Sequence, residues 1–393
     1  MADDTELSDL IAQADAAPHD AQRVLLLEEA VRLADAAQDE ATAVSLRGTL
    51  ISAAIDAGLP DRALVAFTWL RNAERREDPD GAASAEQLWR FKWIAEEIPL
   101  FLGVTREQLQ AFFADMRREY DRAAQSSRPL FQQQMLTAMH LGAPAADVEA
   151  LYVQWQSGLL DTGADCAACE RHTMVEYQLY VHGVDVALDT ARPILDETLS
   201  CWQVPHRTVG ALLLPLFDDG QVELARDLHM ELYERSRGRG DLVLSIGHHL
   251  ELCALLGELE RGRQGIERHL RMALENAAAL RRLPLLMGAH AVLRQLARVG
   301  RPVRLRLPLV PLLSTESSMS SMGPALRRAL EAGLSQTEAT GEAEFDAGAL
   351  AQGLIDEVRS LVAQADARSG WSYYAEQLER YERRHADPDA PRS

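Results

Sequence analysis

Apolar residues along this chain recur at i, i+3, i+4 and i+7, the spacing that places them on one face of a helix. The segments "AQRVLLLEEAVRLADAA" and "SLRGTLISAAIDAG" show it clearly, and the same spacing continues almost throughout. Sustained alternation in twos is absent, and no Asn-Gly hairpin turn occurs. The pattern predicts an all-α protein.

The helical segments are punctuated by glycine at Gly58, Gly103, Gly142, Gly183, Gly220, Gly257 and Gly300, at intervals of 45, 39, 41, 37, 37 and 43 residues. Glycine just past a helix end takes the left-handed conformation that closes the last turn. After each of the first six a second amphipathic segment begins, as in "GLPDRALVAFTWLRN" and "GQVELARDLHMELY". Ser84 with Gln87, and Thr105 with Gln108, fit capping boxes at helix starts. The repeating unit is therefore a helix hairpin of roughly forty residues, used about seven times, and such units stack into an α-solenoid.

Glycine ending one helix, followed five residues later by alanine inside the next, occurs at Gly58 with Ala63 and Gly220 with Ala225. In this the chain resembles the tetratricopeptide-repeat superfamily, with degenerate repeats over roughly residues 20–300. Gln108, Asp147, Leu188 and Gly262 hold the alanine place elsewhere, and the units are longer than the family's usual repeat. A HEAT-like stack of helix pairs is the nearest alternative. The resemblance implies a right-handed α-solenoid of about seven antiparallel helix hairpins with a C-terminal helical cap, and a groove that binds protein or peptide.

Past Gly300 the pattern changes. "RPVRLRLPLVPLL" is interrupted by proline and leads into the Ser/Met-rich "STESSMSSMGP". The expected organisation is a repeat array over 1–308, a linker with one short helix over 309–346, a helix pair over 347–385, and a disordered tail over 386–393.

Composition narrows the function. The net charge is −20, opposite to the basic surface that nucleic acid or an anionic membrane requires. Lys92 is the only lysine among 40 basic residues, which points to a high-GC bacterial genome. The acidic N-terminus lacks the basic and apolar regions of a signal peptide. No run of eighteen apolar residues suggests a membrane span. A cytoplasmic protein is expected. Four cysteines in 393 residues are too few for a disulfide framework.

Three of those cysteines fall close together in the repeat frame. Cys166 and Cys169, in "DCAACE", open the first helix of the fourth hairpin. Cys201 ends its second helix, and "CWQVPH" places His206 at the start of the next. In an up-and-down stack these points share one edge. Three thiolates and one imidazole make a closed tetrahedral zinc site. Cys166, Cys169, Cys201 and His206 are thus the expected ligands of a structural zinc that staples two repeats, with His172 competing with His206 for the fourth place. A redox pair and plain buried cysteines are the other readings of the same residues. Cys253, mid-helix among leucines, reads as core.

Other motifs carry less. "GHHLE" places His248 and His249 about 100° apart on a helix, unsuited to joint chelation. "RGD" at residues 239–241 reads as a turn, and the segment around His269 as a helix face. No nucleophile elbow, P-loop or dinucleotide fingerprint is present, so no catalytic residue is expected. Trp89, Phe91, Trp93 and Phe101, with Gln132, Gln133, Tyr177, Tyr180 and His182, read either as packing or as lining of a concave groove. The sequence favours a non-enzymatic protein- or peptide-binding scaffold or adaptor. The alternatives are a peptide-responsive regulatory sensor and a zinc-dependent enzyme.

Overall fold

A computed structural model describes residues 2–78, 81–298, 303–305, 322–334 and 343–386. Among the described residues the protein is all-α apart from one short antiparallel ribbon, in which Val303–Leu305 (β1) pairs with Ala343–Phe345 (β2). The sequence pattern missed this ribbon because three residues are too few to show alternation. Gly300, most of the Ser/Met-rich stretch, the boundary expected at residue 308 and all but the first residue of the tail expected over 386–393 lie outside the described residues.

The chain divides into two compact units. The first comprises Met1–Thr137, Ala150–Ala164 and Arg239–Asp241. Its helices are α1 (Ala2–Ala16), α2 (Ala21–Ala36), α3 (Glu40–Asp56), α4 (Pro60–Glu77), α5 (Ala85–Glu97) and α6 (Arg106–Arg122). Parts of α7 (Arg128–Leu141) and α8 (Ala145–Ser157) complete it. From α1 to α6 each helix packs on the next, around a core that includes Leu27, Ile51, Leu70, Phe91, Ile94 and Met116. The two capping boxes form as expected: the Ser84 and Thr105 hydroxyls accept from the Gln87 and Gln108 amides, and each glutamine reaches back. Buried Arg71 of α4 is held by Glu74 at 3.0 Å and by Glu119 of α6 at 2.5 Å.

The aromatic cluster of this unit is packing. Phe91 stands edge-on to Phe67 at 4.9 Å. The Trp89 indole N–H donates to the Thr162 carbonyl at 3.3 Å, and Trp93 packs against the core. Phe101 is half-buried, and Gln132 and Gln133 are both buried. Of the six, Trp89, Trp93 and Phe101 keep part of their surface exposed.

The second unit comprises Ala138–Glu149, Asp165–Gly238 and Leu242–Ser393. It contains α9 (Ala167–Val181), α10 (Val184–Leu195), α11 (His206–Asp218), α12 (Val222–Ser236), α13 (Val243–Leu256), α14 (Leu259–Glu275) and α15 (Ala279–Arg298). After these come α16 (Pro324–Leu334), α17 (Ala347–Ser369) and α18 (Tyr373–Arg384). From α9 to α15 each helix packs on the next, and α9, α11, α13 and α15 also pack on one another in succession. Small residues permit this close approach: a Cβ at Gly247 of α13 would run into the Pro284 backbone of α15.

Five of the punctuating glycines, Gly58, Gly142, Gly183, Gly220 and Gly257, take φ between +70° and +93°. Gly103 instead follows a 3₁₀ turn over Ile98–Leu100. Other turns lack glycine: Gln38, at φ 56°, makes the turn between α2 and α3, and Ala124, at φ 52°, the turn after α6.

Helices α17 and α18 follow one another at the C-terminal end of the described residues. Helix α17 packs on α15 and α16, with buried Arg282 of α15 bonded to Glu357 at 2.8 Å. Helix α18 reaches several helices of this unit. The Tyr374 hydroxyl donates to the His140 carbonyl at 2.8 Å, and the Tyr373 ring lies 5.6 Å from that of Tyr180 in α9. Arg384 pairs with Asp218 at the end of α11 and with Glu251 of α13, both at 2.8 Å. The Tyr381 hydroxyl, buried, meets His290 and donates to the Met287 carbonyl of α15 at 3.2 Å.

Candidate metal centre

Cys166 is the N-cap of α9, and Cys169 lies in its first turn. Cys201 lies beyond α10, which ends at Leu195, in the segment leading to α11. There a turn closes with the Cys201 N–H donating to the Val204 carbonyl at 2.9 Å. Ala168, Ile194 and Val204 form a small apolar cluster that Cys169, Leu199 and Cys201 pack against, fixing this turn beside the start of α9. The result brings all three sulfurs within 4.8 Å of one another. Cys169 Sγ and Cys201 Sγ lie 3.3 Å apart. Cys166 is exposed and the other two are half-buried.

Cys169 and Cys201 differ electrostatically. Cys201 is pushed down to about 5, chiefly by the Cys169 thiol bonded to it. The backbone N–H groups of Val204 and Gln203 act in the same direction, against the effect of burial. Cys169 is pushed up, because its proton is held against the Cys201 sulfur and burial disfavours its charge. The bond between them shifts the two thiols in opposite directions. Around a tetrahedral zinc with bonds of about 2.3 Å, sulfurs stand about 3.8 Å apart. A displacement of a few tenths of an ångström takes the 3.3 Å pair to that spacing.

The fourth expected ligand differs. His206 is absent from the sulfur group. It opens α11 as a buried residue, and its Nδ1 bonds the Ser236 hydroxyl of α12 at 3.1 Å. The ring follows the helix inward, away from the turn that carries Cys201. His172 is engaged as well, its Nδ1 3.1 Å from the Thr208 hydroxyl and its Nε2 3.5 Å from Glu176. Three thiols come together, as the sequence spacing implied, and neither histidine joins them.

The remaining candidates resolve as follows. His248 Nδ1 bonds the Gly210 carbonyl at 2.8 Å, a helix-to-helix tie. Arg239 and Asp241 pair at 2.6 Å and close their own turn. His269 is buried, accepting from the Gly238 N–H at 3.0 Å and facing the Gly265 carbonyl at 2.9 Å. Tyr177 is buried with His182 edge-on to it, and the Tyr180 hydroxyl donates to the Ala143 carbonyl at 2.6 Å. Cys253 is buried in α13 as expected of a core residue, but His229 and Glu258 stand beside it. Those two residues carry no sequence signal, since neither lies at a ligand spacing from Cys253.

No protein-family model matches this chain, and no curated protein matches it. No helix among the described residues is long and apolar enough to cross a membrane.

Proposed function

We propose that this chain is a non-enzymatic, tetratricopeptide-like scaffold or adaptor that binds an amphipathic helix of a protein partner. Its hairpins are read as a right-handed solenoid, and the succession of α9, α11, α13 and α15 supports that reading. The observation that carries the function is the seating of α18 on these helices. Tyr374 and Tyr381 lie seven residues apart on one helix face, and Arg384 follows one turn later. Their partners are two backbone carbonyls, His290, Asp218 and Glu251. A surface that holds this chain's own helix through aromatic anchors and an acidic pair has the chemistry to hold a similar helix supplied by a partner.

Zinc at Cys166, Cys169 and Cys201 would tie the start of α9 to the segment before α11, with solvent at the fourth position on the exposed Cys166 side. Three thiolates around one dication leave a net negative centre, which polarises bound water poorly. That favours a structural metal over a catalytic one. The same seating of α18 favours a second reading, a peptide-responsive sensor in which release of α18 is the output.

The test uses the full chain and a labelled peptide spanning residues 371–386, followed by fluorescence anisotropy. In wild type the chain's own helix competes. Arg384→Ala weakens that competitor and should bind the peptide at least about tenfold more tightly, as removal of an internal competitor requires. A variant whose α18 becomes open to trypsin yet binds no peptide would sink the reading. For the sensor, peptide binding to wild type should itself expose α18 to trypsin.

A further inference from the structure

His229 of α12, Cys253 of α13 and Glu258 of the turn before α14 converge from three segments. His229 Nε2 lies 3.7 Å from Cys253 Sγ and 3.9 Å from Glu258 Oε2, and all three ligand atoms lie within 4.8 Å of one another. Around a single tetrahedral zinc the corresponding separations are about 3.6 Å for N to S and about 3.4 Å for N to O. We propose that His229, Cys253 and Glu258 form a second metal site, separate from the three-cysteine centre, that takes Zn(II).

The surroundings are those of a metal ligand set. A ligating histidine usually bonds an outer group through its other ring nitrogen. Here His229 Nδ1 lies 2.9 Å from Nδ1 of the buried His249. With the proton on His229 Nδ1, the Nε2 lone pair faces Cys253 and Glu258. The Tyr233 ring stacks on His229 at 5.2 Å and 14°, fixing its plane. Glu258 is oriented by Arg261, whose guanidinium donates to Oε2 at 2.6 Å.

Charge and access agree with this assignment. A dication, one thiolate, one carboxylate and a neutral imidazole sum to zero, which suits a site whose histidine and cysteine are fully buried. The Cys253 thiol proton leaves to solvent as the ion binds. Glu258 keeps 27% of its side chain exposed, giving the ion a way in and leaving the fourth position to water. Nitrogen and sulfur donors select zinc over magnesium or calcium. The site is independent of the proposed helix-binding function.

The test is zinc stoichiometry of the reduced full chain, stripped with chelator, reloaded with Zn(II) alone and dialysed. Wild type, C253A, E258Q and the triple variant C166S/C169S/C201S are compared. Wild type should hold two equivalents, and C253A and the triple variant one each. E258Q should bind the second ion at least about tenfold more weakly. Co(II) loaded into the triple variant should give a thiolate charge-transfer band in the near ultraviolet, absent when C253A is added. One equivalent in both wild type and C253A overturns the proposal, whether or not the triple variant folds. One equivalent in wild type that is lost in C253A supports this site and argues against the three-cysteine centre.

Discussion

Replacing Arg384 with methionine tests how α18 is held. Glu251 is almost fully buried; its carboxylate accepts from Arg384 at 2.8 Å, and His385 Nε2 lies 3.3 Å from it. Burial alone would raise the Glu251 pKa. The His385 and Arg384 bonds outweigh it and hold the group below the usual carboxylate value. Arg384→Met leaves a buried carboxylate with only His385 beside it. Removing one partner of a buried pair costs about 3–5 kcal/mol, and the surviving His385 contact places this case near the lower figure. Urea unfolding at pH 7 measures it. Changing both partners, Arg384→Met with Glu251→Gln, removes the stranded charge and should recover most of the loss. Arg383→Met is the control: Arg383 is 68% exposed and 3.8 Å from Glu379, so its loss should cost no more than about 0.5 kcal/mol. If Arg384→Met costs no more than Arg383→Met, α18 is not anchored through Glu251. A cost near 3 kcal/mol corresponds to more than about a hundredfold in an equilibrium constant, and a competing helix must overcome that factor.

Three further outcomes are expected. Cys201→Ser should lose the ion of the three-cysteine centre and melt at lower temperature, whereas His206→Ala should keep that ion, since its ring faces Ser236; metal analysis beside a thermal melt decides, and zinc lost in His206→Ala would restore the four-ligand set. His269 and His290 are both pushed down to about 4, chiefly by burial. Against an unfolded value near 6.5, the unfolded state binds more protons below that pH, so their contribution to stability is full above about 6.5 and lost as pH falls toward 4. The loss is about 2 kcal/mol per histidine between pH 7 and 5, and urea midpoints across that range that fail to fall in wild type, or fall equally in His269→Gln, would refute it. Gly247→Ala should destabilise by about 1–3 kcal/mol in urea because its Cβ meets the Pro284 backbone, and a neutral result would show that α13 and α15 can separate freely.

Much of the helical frame was legible because its signals are local. Apolar period, a cap three residues from its partner and a glycine at a helix end all sit within one or two turns of chain. Both capping boxes and five of the glycine turns followed from such signals. Where the turn used a different residue, as at Gln38, nothing local announced a positive φ, and the hairpin of α2 and α3 lay outside the glycine series. The ribbon of β1 and β2 joins residues about forty apart, each strand shorter than any period can reveal.

The grouping of the three cysteines was legible, for a reason that also explains why His206 stands apart from them. The packing of α9 on α10 and α11 sets the start of α9 beside the segment before α11, and that is enough to gather Cys166, Cys169 and Cys201. Helix order fixes where a backbone runs but not where a side chain at a helix start turns. The first residue of α11 has a choice between the edge and the core, and His206 takes the core because Ser236 offers it a buried partner at 3.1 Å. The group of His229, Cys253 and Glu258 inverts the case. Cys253 and Glu258 are near in sequence, but His229 belongs to the previous hairpin and looks like any polar residue on an amphipathic helix. Only the side-by-side packing of α12 and α13 brings its ring against Cys253. A ligand set assembled through helix faces leaves no spacing to read. One assembled through helix ends leaves the cysteine pair that the sequence displays.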